Sequence, residues 1–157
     1  MPLPPRLCVM PKFSVPGTCR VVQQFGVERY AHVQHLVSRV RGRLRPGLDA
    51  LHAYRAAANM GTVSGAPKLR AMELLRESEP SARGFYGGAL GYVLQDGRMD
   101  TCIVIRALRW TREGGTYTAR AGAGVVYDST PEREWHETEL KMRCTLSAVL
   151  AAAEGTR

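Results

Sequence analysis

Apolar and polar residues alternate in two stretches of the first half of the chain, and this alternation predicts two β-strands. The stretches are Cys19–Gln24 and His32–Val40. Because successive side chains of a strand point to opposite faces, His35 shares a face with the residues two positions before and after it. The second stretch also fits a helical stripe, since apolar residues stand at positions 30, 33, 37 and 40. A helix is therefore the alternative there.

Two helices are predicted next, from composition and from the residues that bound them. The first is Leu48–Ala58, which follows a Pro-Gly pair and ends before a glycine. The second runs from Pro67 to about Glu79, and its apolar stripe, expected to be buried, consists of Leu69, Met72 and Leu75.

The central part of the chain predicts an antiparallel meander. Gly88–Leu94 and Asp100–Trp110 flank the pair Asp96-Gly97, which tolerates the positive φ angles of a tight hairpin. A second Gly-rich turn leads into Thr116–Val126, so we expect three antiparallel strands.

A long helix is predicted to close the chain. Ser129 or Thr130 caps it, Pro131 occupies its first turn, and it extends to about Ala153. Strands interspersed with helices in this way indicate an α+β fold, an antiparallel β-sheet with flanking helices.

Length and charge narrow the class of protein. A chain of 157 residues is long enough for one domain with a real core. The net charge of +8 suggests binding to nucleic acid, but no aromatic residues interleave the arginines as stacking platforms, so a solvated basic face is the better interpretation.

No apolar run is long enough to span a membrane, and no signal peptide is recognisable. The four cysteines show no paired spacing, Cys102 is expected to be buried, and reduced thiols fit a cytoplasmic protein.

The segment Gly61–Lys68 is the strongest local indication of a binding site. Two glycines with hydroxyl residues between them precede a proline that suits the first turn of a helix. Backbone N–H groups and the positive end of that helix would face an anionic ligand. The segment is not a Walker A loop, because no Ser or Thr follows Lys68.

Arg106 is expected in the middle of a strand, on a face that is otherwise apolar. Alternation places it with Cys102, Val104 and Leu108. An unpaired buried charge is costly, so this arginine needs a partner. The partner is either Asp100 or a glutamate in a structural ion pair, or a substrate carboxylate held by a bidentate guanidinium.

Glu134 and Glu137 are one helical turn apart, and Lys141 continues the same face. Acidic residues near a helix N-terminus commonly complement its dipole, which is the ordinary explanation. Paired carboxylates at this spacing are also suitable ligands for Mg²⁺, which takes one or two carboxylates together with water and substrate.

A further signal is the order of the sequence blocks along the chain. The blocks are Arg29–Ser38, Gly61–Lys68, Tyr86–Tyr92, Met99–Arg106, Ala121–Pro131, and Glu134-x-x-Glu137 with Lys141. In this order and at these spacings they resemble the C-terminal portion of the chorismate-utilising enzymes, most closely anthranilate synthase component I. The resemblance covers residues 16–153, leaves residues 1–15 as an unmatched, irregular segment and 154–157 as a tail, and implies part of a β-sandwich fold.

The resemblance also implies roles for individual residues. His35 and Thr62 are expected to be catalytic, with His35 as the acid–base residue, although a lone histidine in a strand is more often structural. Glu137 is the expected direct Mg²⁺ ligand, with Glu134 supporting it. The expected substrate-binding residues are Tyr86, Arg106, Gly122, Ala123, Gly124 and Lys141.

The activity implied by the resemblance is conversion of chorismate and ammonia to anthranilate and pyruvate, the first step of tryptophan biosynthesis. A glutamine amidotransferase subunit would supply the ammonia. An acidic metal-binding stretch expected upstream in related enzymes is missing, so we expect the isolated chain to be inactive and to need the missing N-terminal half. The alternatives are aminodeoxychorismate synthase component I of the folate pathway and a non-catalytic truncated gene product. Neither a specific nucleic acid nor a membrane is an expected partner.

Overall fold

The computed structural model describes residues 10–30, 34–58 and 60–155. These residues form two compact units. The first contains the described residues of Met1–Ala58 together with Gly91–Asp100, and the second those of Asn59–Leu90 and Thr101–Arg157. The predicted mixture of helices and antiparallel sheet is confirmed.

The first unit is built on a long antiparallel hairpin. Strand β1 (Arg20–Arg29) pairs with β2 (Gln34–Arg41), and the register shifts twice, between Val21 and Gln23 and between Gln23 and Gly26. At the second shift Phe25 has a φ of 52°, and its N–H donates to the Ser38 hydroxyl at 3.1 Å. Both predicted strands are therefore present, although the predicted start of the second, at His32, lies outside the described residues.

The segment that precedes β1 contains the most buried described residues. After a 3₁₀ turn (Met10–Lys12), Ser14 bridges to Leu44, and the Arg45 guanidinium donates to the carbonyl oxygens of Ser14 and Pro11, each at 2.9 Å. Phe13 is 8% exposed and Ser14 is 1% exposed. Residues 1–15 were expected to be irregular; residues 1–9 lie outside the described part of the chain, and residues 10–15 are packed and hydrogen-bonded in this way.

Four helices follow, and three of them match the predicted segments. They are α1 (Ala50–Ala57), α2 (Gly61–Ser64), α3 (Lys68–Ser78) and α4 (Pro131–Glu154). Asp49 caps α1 by accepting from the His52 N–H at 2.9 Å, and this bond, with a second one from the His52 side chain, lowers the pKa of the Asp49 carboxyl.

Helix α2 lies where the sequence predicted an open loop. Residues 61–64 make a single helical turn, in which the Gly65 N–H donates to the Gly61 carbonyl oxygen at 2.8 Å. Pro67 is the N-cap of α3 and not part of its first turn, because its ψ of 134° is extended. Thr130 is the N-cap of α4, but its side chain makes no capping hydrogen bond.

The predicted three-stranded meander is wrong; the residues form two separate hairpins. Strand β3 (Ala89–Val93) pairs with β4 (Met99–Ile103), and β5 (Leu108–Thr111) pairs with β6 (Thr116–Ala119). The expected strand Asp100–Trp110 is interrupted because Arg106 has a φ of 52°, which is incompatible with an extended strand. Arg106 is therefore not in mid-strand, and the third predicted strand ends at Ala119, well before Val126.

A core of the expected size is absent from the described residues, where Phe13 is the one buried apolar side chain. The predicted buried stripe of α3 is wrong, since Leu69 is 75% exposed and Met72 is 41% exposed. Cys102 is also exposed, and it and Cys19 are free thiols. Apolar sheet residues such as Leu90, which is 68% exposed, lie uncovered. Across the described residues, each helix is too short or too polar to cross a membrane.

The second unit is held by a charged cluster of Glu79, Arg83 and Arg120. The Arg83 Nε donates to both Glu79 carboxylate oxygens, at 2.9 and 3.0 Å, and Arg120 Nη2 lies 3.3 Å from Glu79 Oε2. Arg83 also donates to the carbonyl oxygen of Val63, at 2.5 Å, and Arg120 to that of Ala82, at 2.6 Å. The cluster therefore joins α2, the end of α3, the following turn and the residue after β6.

Gly65 is expected to be intolerant of a side chain. Its φ is 119° and its ψ is −177°, a conformation that only glycine adopts readily, and an added Cβ would lie 2.8 Å from the Ala71 Cβ. Gly65→Ala should therefore lower the free energy of unfolding by about 1–3 kcal/mol in urea titrations of the full chain. Gly61→Ala is the matched control, because its Cβ would meet open space. Equal stability of the two variants would contradict this account of the loop.

The charged cluster should make stability depend on pH. The hydrogen bond from Arg83 holds the pKa of Glu79 below its usual value, so the carboxylate's contribution is present above the ordinary carboxyl pKa. It is lost as the pH falls through the lowered pKa of the folded chain. Glu79→Gln should cost about 1–2 kcal/mol at neutral pH, and the difference from wild type should shrink in acid. Glu77→Gln, at an exposed position of α3, is the control; a pH-independent difference for Glu79→Gln would refute the assignment.

Candidate functional site

Three distant stretches of the second unit meet around Gly122. The Tyr86 hydroxyl lies so close to it that a Cβ added at Gly122 would be 2.9 Å from the phenolic oxygen. From helix α4, Lys141 Nζ donates to the Gly122 carbonyl oxygen at 2.9 Å. Tyr86, Gly122 and Lys141, predicted from the sequence as substrate-binding residues, are thus neighbours in the fold.

Helix α4 contributes two carboxylates to the same region. Glu134, Glu137 and Lys141 lie on one helical face, at intervals of three and four residues. Lys141 Nζ is 2.6 Å from Glu137 Oε1, so the lysine balances that negative charge while it also holds Gly122. The side chain of Lys141 is 27% exposed and that of Glu137 is 50% exposed, so water reaches the carboxylate more easily than the ammonium group.

The two oxygens of Glu134 have different surroundings. Oε1 accepts a hydrogen bond from the Ser129 hydroxyl at 2.6 Å. Oε2 is buried and has no hydrogen-bond partner within the described part of the chain. Desolvating a carboxylate oxygen without a partner is unfavourable, so this atom is suited to a ligand that brings positive charge or an N–H or O–H donor.

These carboxylates fit part of a magnesium site. The described residues contain no cluster of three or more His, Cys, Asp or Glu side chains able to enclose a metal ion. Mg²⁺ does not need such a cage, because it commonly keeps several waters and takes one or two carboxylates with substrate oxygens. The unpartnered Oε2 of Glu134 and the adjacent Glu137 meet that smaller requirement.

Tyr86 is positioned from both sides of its own turn. On one side, the Gly87 N–H donates to the Val104 carbonyl oxygen at 2.8 Å, and the Val104 N–H donates to the Gly88 carbonyl oxygen at 3.0 Å. On the other side, the Arg83 guanidinium lies 5.7 Å from the centre of the Tyr86 ring, a cation–π distance. Its hydrogen bond with Glu79 raises the pKa of Arg83, so the charge facing the ring is permanent.

A cavity of about 420 Å³ lies beside this turn. Its lining includes Val63, Met72, Leu75, Arg83 and Tyr86. The volume is in the range that small-molecule sites occupy, and the lining combines apolar surface with the ion pair of Arg83 and Glu79.

The remaining predicted residues of the second unit lie near these elements. Thr62 is exposed on α2, one residue before a cavity-lining valine. Arg106 is half-buried and follows Val104 by two residues, in the left-handed conformation that separates β4 from β5. Ala123 is half-buried and Gly124 is exposed, both directly after Gly122.

His35 belongs to the first unit. It lies on β2 opposite Glu28, and its ring centre is 5.8 Å from that of Tyr30. Hydrogen bonds from Tyr30 and Arg39 lower the pKa of Glu28, and the bond to Glu28 raises the pKa of Tyr30. The histidine therefore has a carboxylate and a phenol as its neighbours along the hairpin.

Sequence reasoning missed two features of the site. Arg83, which supports Tyr86, stands in a polar stretch without periodicity, and its only signal is the Glu79 four residues earlier, a favourable spacing for an ion pair. Ser129 was considered only as a helix cap, but its hydroxyl contacts Glu134.

The chain is similar to known proteins of one family. The profile of the chorismate binding enzyme family matches residues 9–147, beginning within the segment that precedes Pro16. The chain is 54% identical over 144 residues to anthranilate synthase component 1 of Vibrio cholerae and 54% identical over 141 residues to that of Escherichia coli. These alignments cover 92% and 90% of this chain but only 27% of each relative.

A solved structure shows the same relationship in three dimensions. Anthranilate synthase component I from Streptococcus pneumoniae superposes with a TM-score of 0.76 at 39% identity, over 87% of this chain and 31% of that one. The chain spans about a quarter of the length of the curated relatives it matches. Since the family profile covers most of its residues, the chain belongs to the chorismate binding enzyme family.

Proposed function

We propose that this chain forms the C-terminal part of an anthranilate synthase component I and carries one side of its chorismate site. One observation carries the proposal: Tyr86, Gly122, Glu137 and Lys141 come from three separated stretches and are brought together by direct contacts. The resemblance implies a role in the site for each of these four residues. The identity to anthranilate synthase component 1 sequences supports this member of the family.

The proposed substrate contacts follow from the chemistry of chorismate, which carries two carboxylates. Arg106 supplies a guanidinium that can clamp a carboxylate through two parallel N–H bonds. Tyr86 supplies a phenolic donor, and the backbone of Gly122, Ala123 and Gly124 can supply N–H groups. Lys141 holds this loop against α4, so it orients the loop as well as adding positive charge.

The proposed cofactor is Mg²⁺, held from this chain by Glu134 and Glu137. The ion would neutralise substrate charge and help the hydroxyl group leave. The pair of Glu137 and Lys141 supports this role because the lysine Nζ, 2.6 Å from Oε1, fixes the direction of the carboxylate. Glu134 adds an oxygen whose position is set by the Ser129 hydroxyl.

His35 and Thr62 complete the proposal. An imidazole can move a proton near neutral pH, and the conversion of chorismate and ammonia to anthranilate, water and pyruvate requires proton transfers. Thr62 offers a hydroxyl from the exposed face of α2. We further propose a glutamine amidotransferase subunit as ammonia donor, the rest of a component I polypeptide as structural partner, and the cytoplasm as the location.

The activity is testable in a chimera in which the aligned segment of this chain replaces its counterpart in the Vibrio cholerae relative. With chorismate, Mg²⁺ and excess ammonium at alkaline pH, the chimera should produce fluorescent anthranilate and pyruvate. The isolated chain should produce neither, because it lacks the remainder of the site. Glu134→Gln should lower kcat/KM by about 100-fold or more, since a metal-facing oxygen is lost.

Glu132→Gln is the matched control for this experiment, because Glu132 is exposed in the first turn of α4 and changes the same charge. A folded chimera that aminates chorismate without releasing pyruvate would assign the chain to aminodeoxychorismate synthesis. A folded chimera that leaves chorismate unchanged would refute the proposal.

The contact between Tyr86 and Gly122 predicts a specific coupling in the chimera. Gly122→Ala should raise KM for chorismate about tenfold, equivalent to about 1.4 kcal/mol, because the new methyl group would displace the Tyr86 hydroxyl. In a Tyr86→Phe background the hydroxyl is gone, and the nearest ring carbon would be 3.7 Å from the methyl group, an ordinary contact. Adding Gly122→Ala there should change KM less than about threefold. Additive effects of the two substitutions would contradict the coupling.

A further inference from the structure

Ser129 closes the turn that leads from the Gly122 loop into helix α4. The Ser129 N–H donates to the Val126 carbonyl oxygen at 3.0 Å, and the Val126 N–H donates to the Ser129 hydroxyl oxygen at 3.0 Å. The two residues therefore bond each other in both directions. The hydrogen bond from the Val126 N–H therefore fixes the position of the Ser129 Oγ.

The hydroxyl proton of Ser129 is donated to Glu134. A serine hydroxyl has a single O–H donor, and here its oxygen already accepts from Val126. The proton is donated to Glu134 Oε1, at the short distance of 2.6 Å. Such a bond to an ionised carboxylate is stronger than a bond between neutral groups.

The hydroxyl is not occupied in capping the helix. The N-cap residue of α4 is Thr130, whose own side chain makes no capping bond, and Ser129 lies before it. Ser129 instead reaches forward to a side chain in the first turn of the helix. With Oε1 held, the carboxylate plane of Glu134 cannot rotate freely, and Oε2 is kept in its buried, unpartnered position.

We propose that Ser129 is a positioning residue for a divalent cation: it holds Glu134 so that Oε2 is presented to the metal. The inference rests on the proposed function, because it concerns the same Glu134 site. Outer hydrogen bonds of this kind orient a metal-binding carboxylate, and their loss typically weakens metal binding 10- to 100-fold. Ser129 also belongs to the turn that continues from Gly122, so it fixes the carboxylate relative to the loop that contacts Tyr86.

The test measures cation binding by the full chain, with Mn²⁺ as the probe and electron paramagnetic resonance of the free ion as the readout. Ser129→Ala should weaken Mn²⁺ binding by about 10-fold or more, whereas Ser129→Thr, which keeps the hydroxyl, should restore most of it. Thr130→Ala is the matched control and should bind as wild type does, because the Thr130 side chain makes no capping bond. Circular dichroism of each variant reports whether α4 is intact.

The outcomes separate this inference from the proposed function. If wild type binds Mn²⁺ and Glu134→Gln does not, but Ser129→Ala binds as wild type does, the positioning role is overturned while the metal site stands. If wild type binds no more Mn²⁺ than Glu134→Gln, both the metal site and the role of Ser129 are overturned. Should Ser129→Ala lose its helical signal, Ser129→Cys, with a weak S–H donor, takes its place; wild-type affinity in that variant overturns the inference.

Discussion

The ion-pair cluster of Glu79, Arg83 and Arg120 is the interaction on which the second unit depends. None of the described apolar side chains in that unit is fully buried, so helices α2 and α3, the turn after them and the end of β6 have little hydrophobic packing to hold them. The two arginines replace such packing with directional bonds to one carboxylate and to three backbone carbonyl oxygens. Because each guanidinium is planar with several N–H donors, one side chain can hold several chain segments at once.

The candidate site depends on this cluster. Arg83 faces the ring of Tyr86, and Arg120 lies two residues before Gly122, where the tyrosine hydroxyl makes its closest approach. From the opposite side, Lys141 holds the carbonyl oxygen of Gly122 and the carboxylate of Glu137. Ion pairs therefore lie on both sides of the Tyr86–Gly122 contact: Arg83 and Arg120 with Glu79 on one side, and Lys141 with Glu137 on the other.

Much apolar surface is exposed, and the reason is that this chain corresponds to only part of the length of its relatives. Leu69 on α3, Leu90 on β3 and Trp135 on α4 are each at least two-thirds exposed. The chain spans about a quarter of the curated relatives it matches. Apolar residues that pack against other segments in the longer relatives are exposed when those segments are not part of the structure.

The sequence by itself predicted three of the four described helices, the first hairpin and the family, and it supplied the residues proposed for the site. Pro131, the acidic first turn and a continuous helical pattern predicted α4, and local spacing put Glu134, Glu137 and Lys141 on one face. The block from Tyr86 to Tyr92 and the glycines from 122 to 124 were recognised as units for the same reason, since each is a local pattern. Local patterns are readable because neighbouring residues interact in the same way wherever the segment lies.

Only the tertiary structure decided which of these patterns meet. The backbone of Arg106 leaves the extended conformation and divides one predicted strand into two, which alternation could not reveal because a change in φ leaves the order of residue types unaltered. The contacts of Tyr86 with Gly122, of Lys141 with the same glycine, and of Arg83 with Glu79 and Val63 join segments up to 36 positions apart. Ser129, predicted as a possible helix cap, is a partner of Glu134 in the structure. Its hydroxyl oxygen accepts a hydrogen bond from the Val126 N–H, and its hydroxyl proton is donated to Glu134. Sequence spacing predicts which residues share a face of a helix or strand. Which other segment packs against that face depends on the tertiary fold.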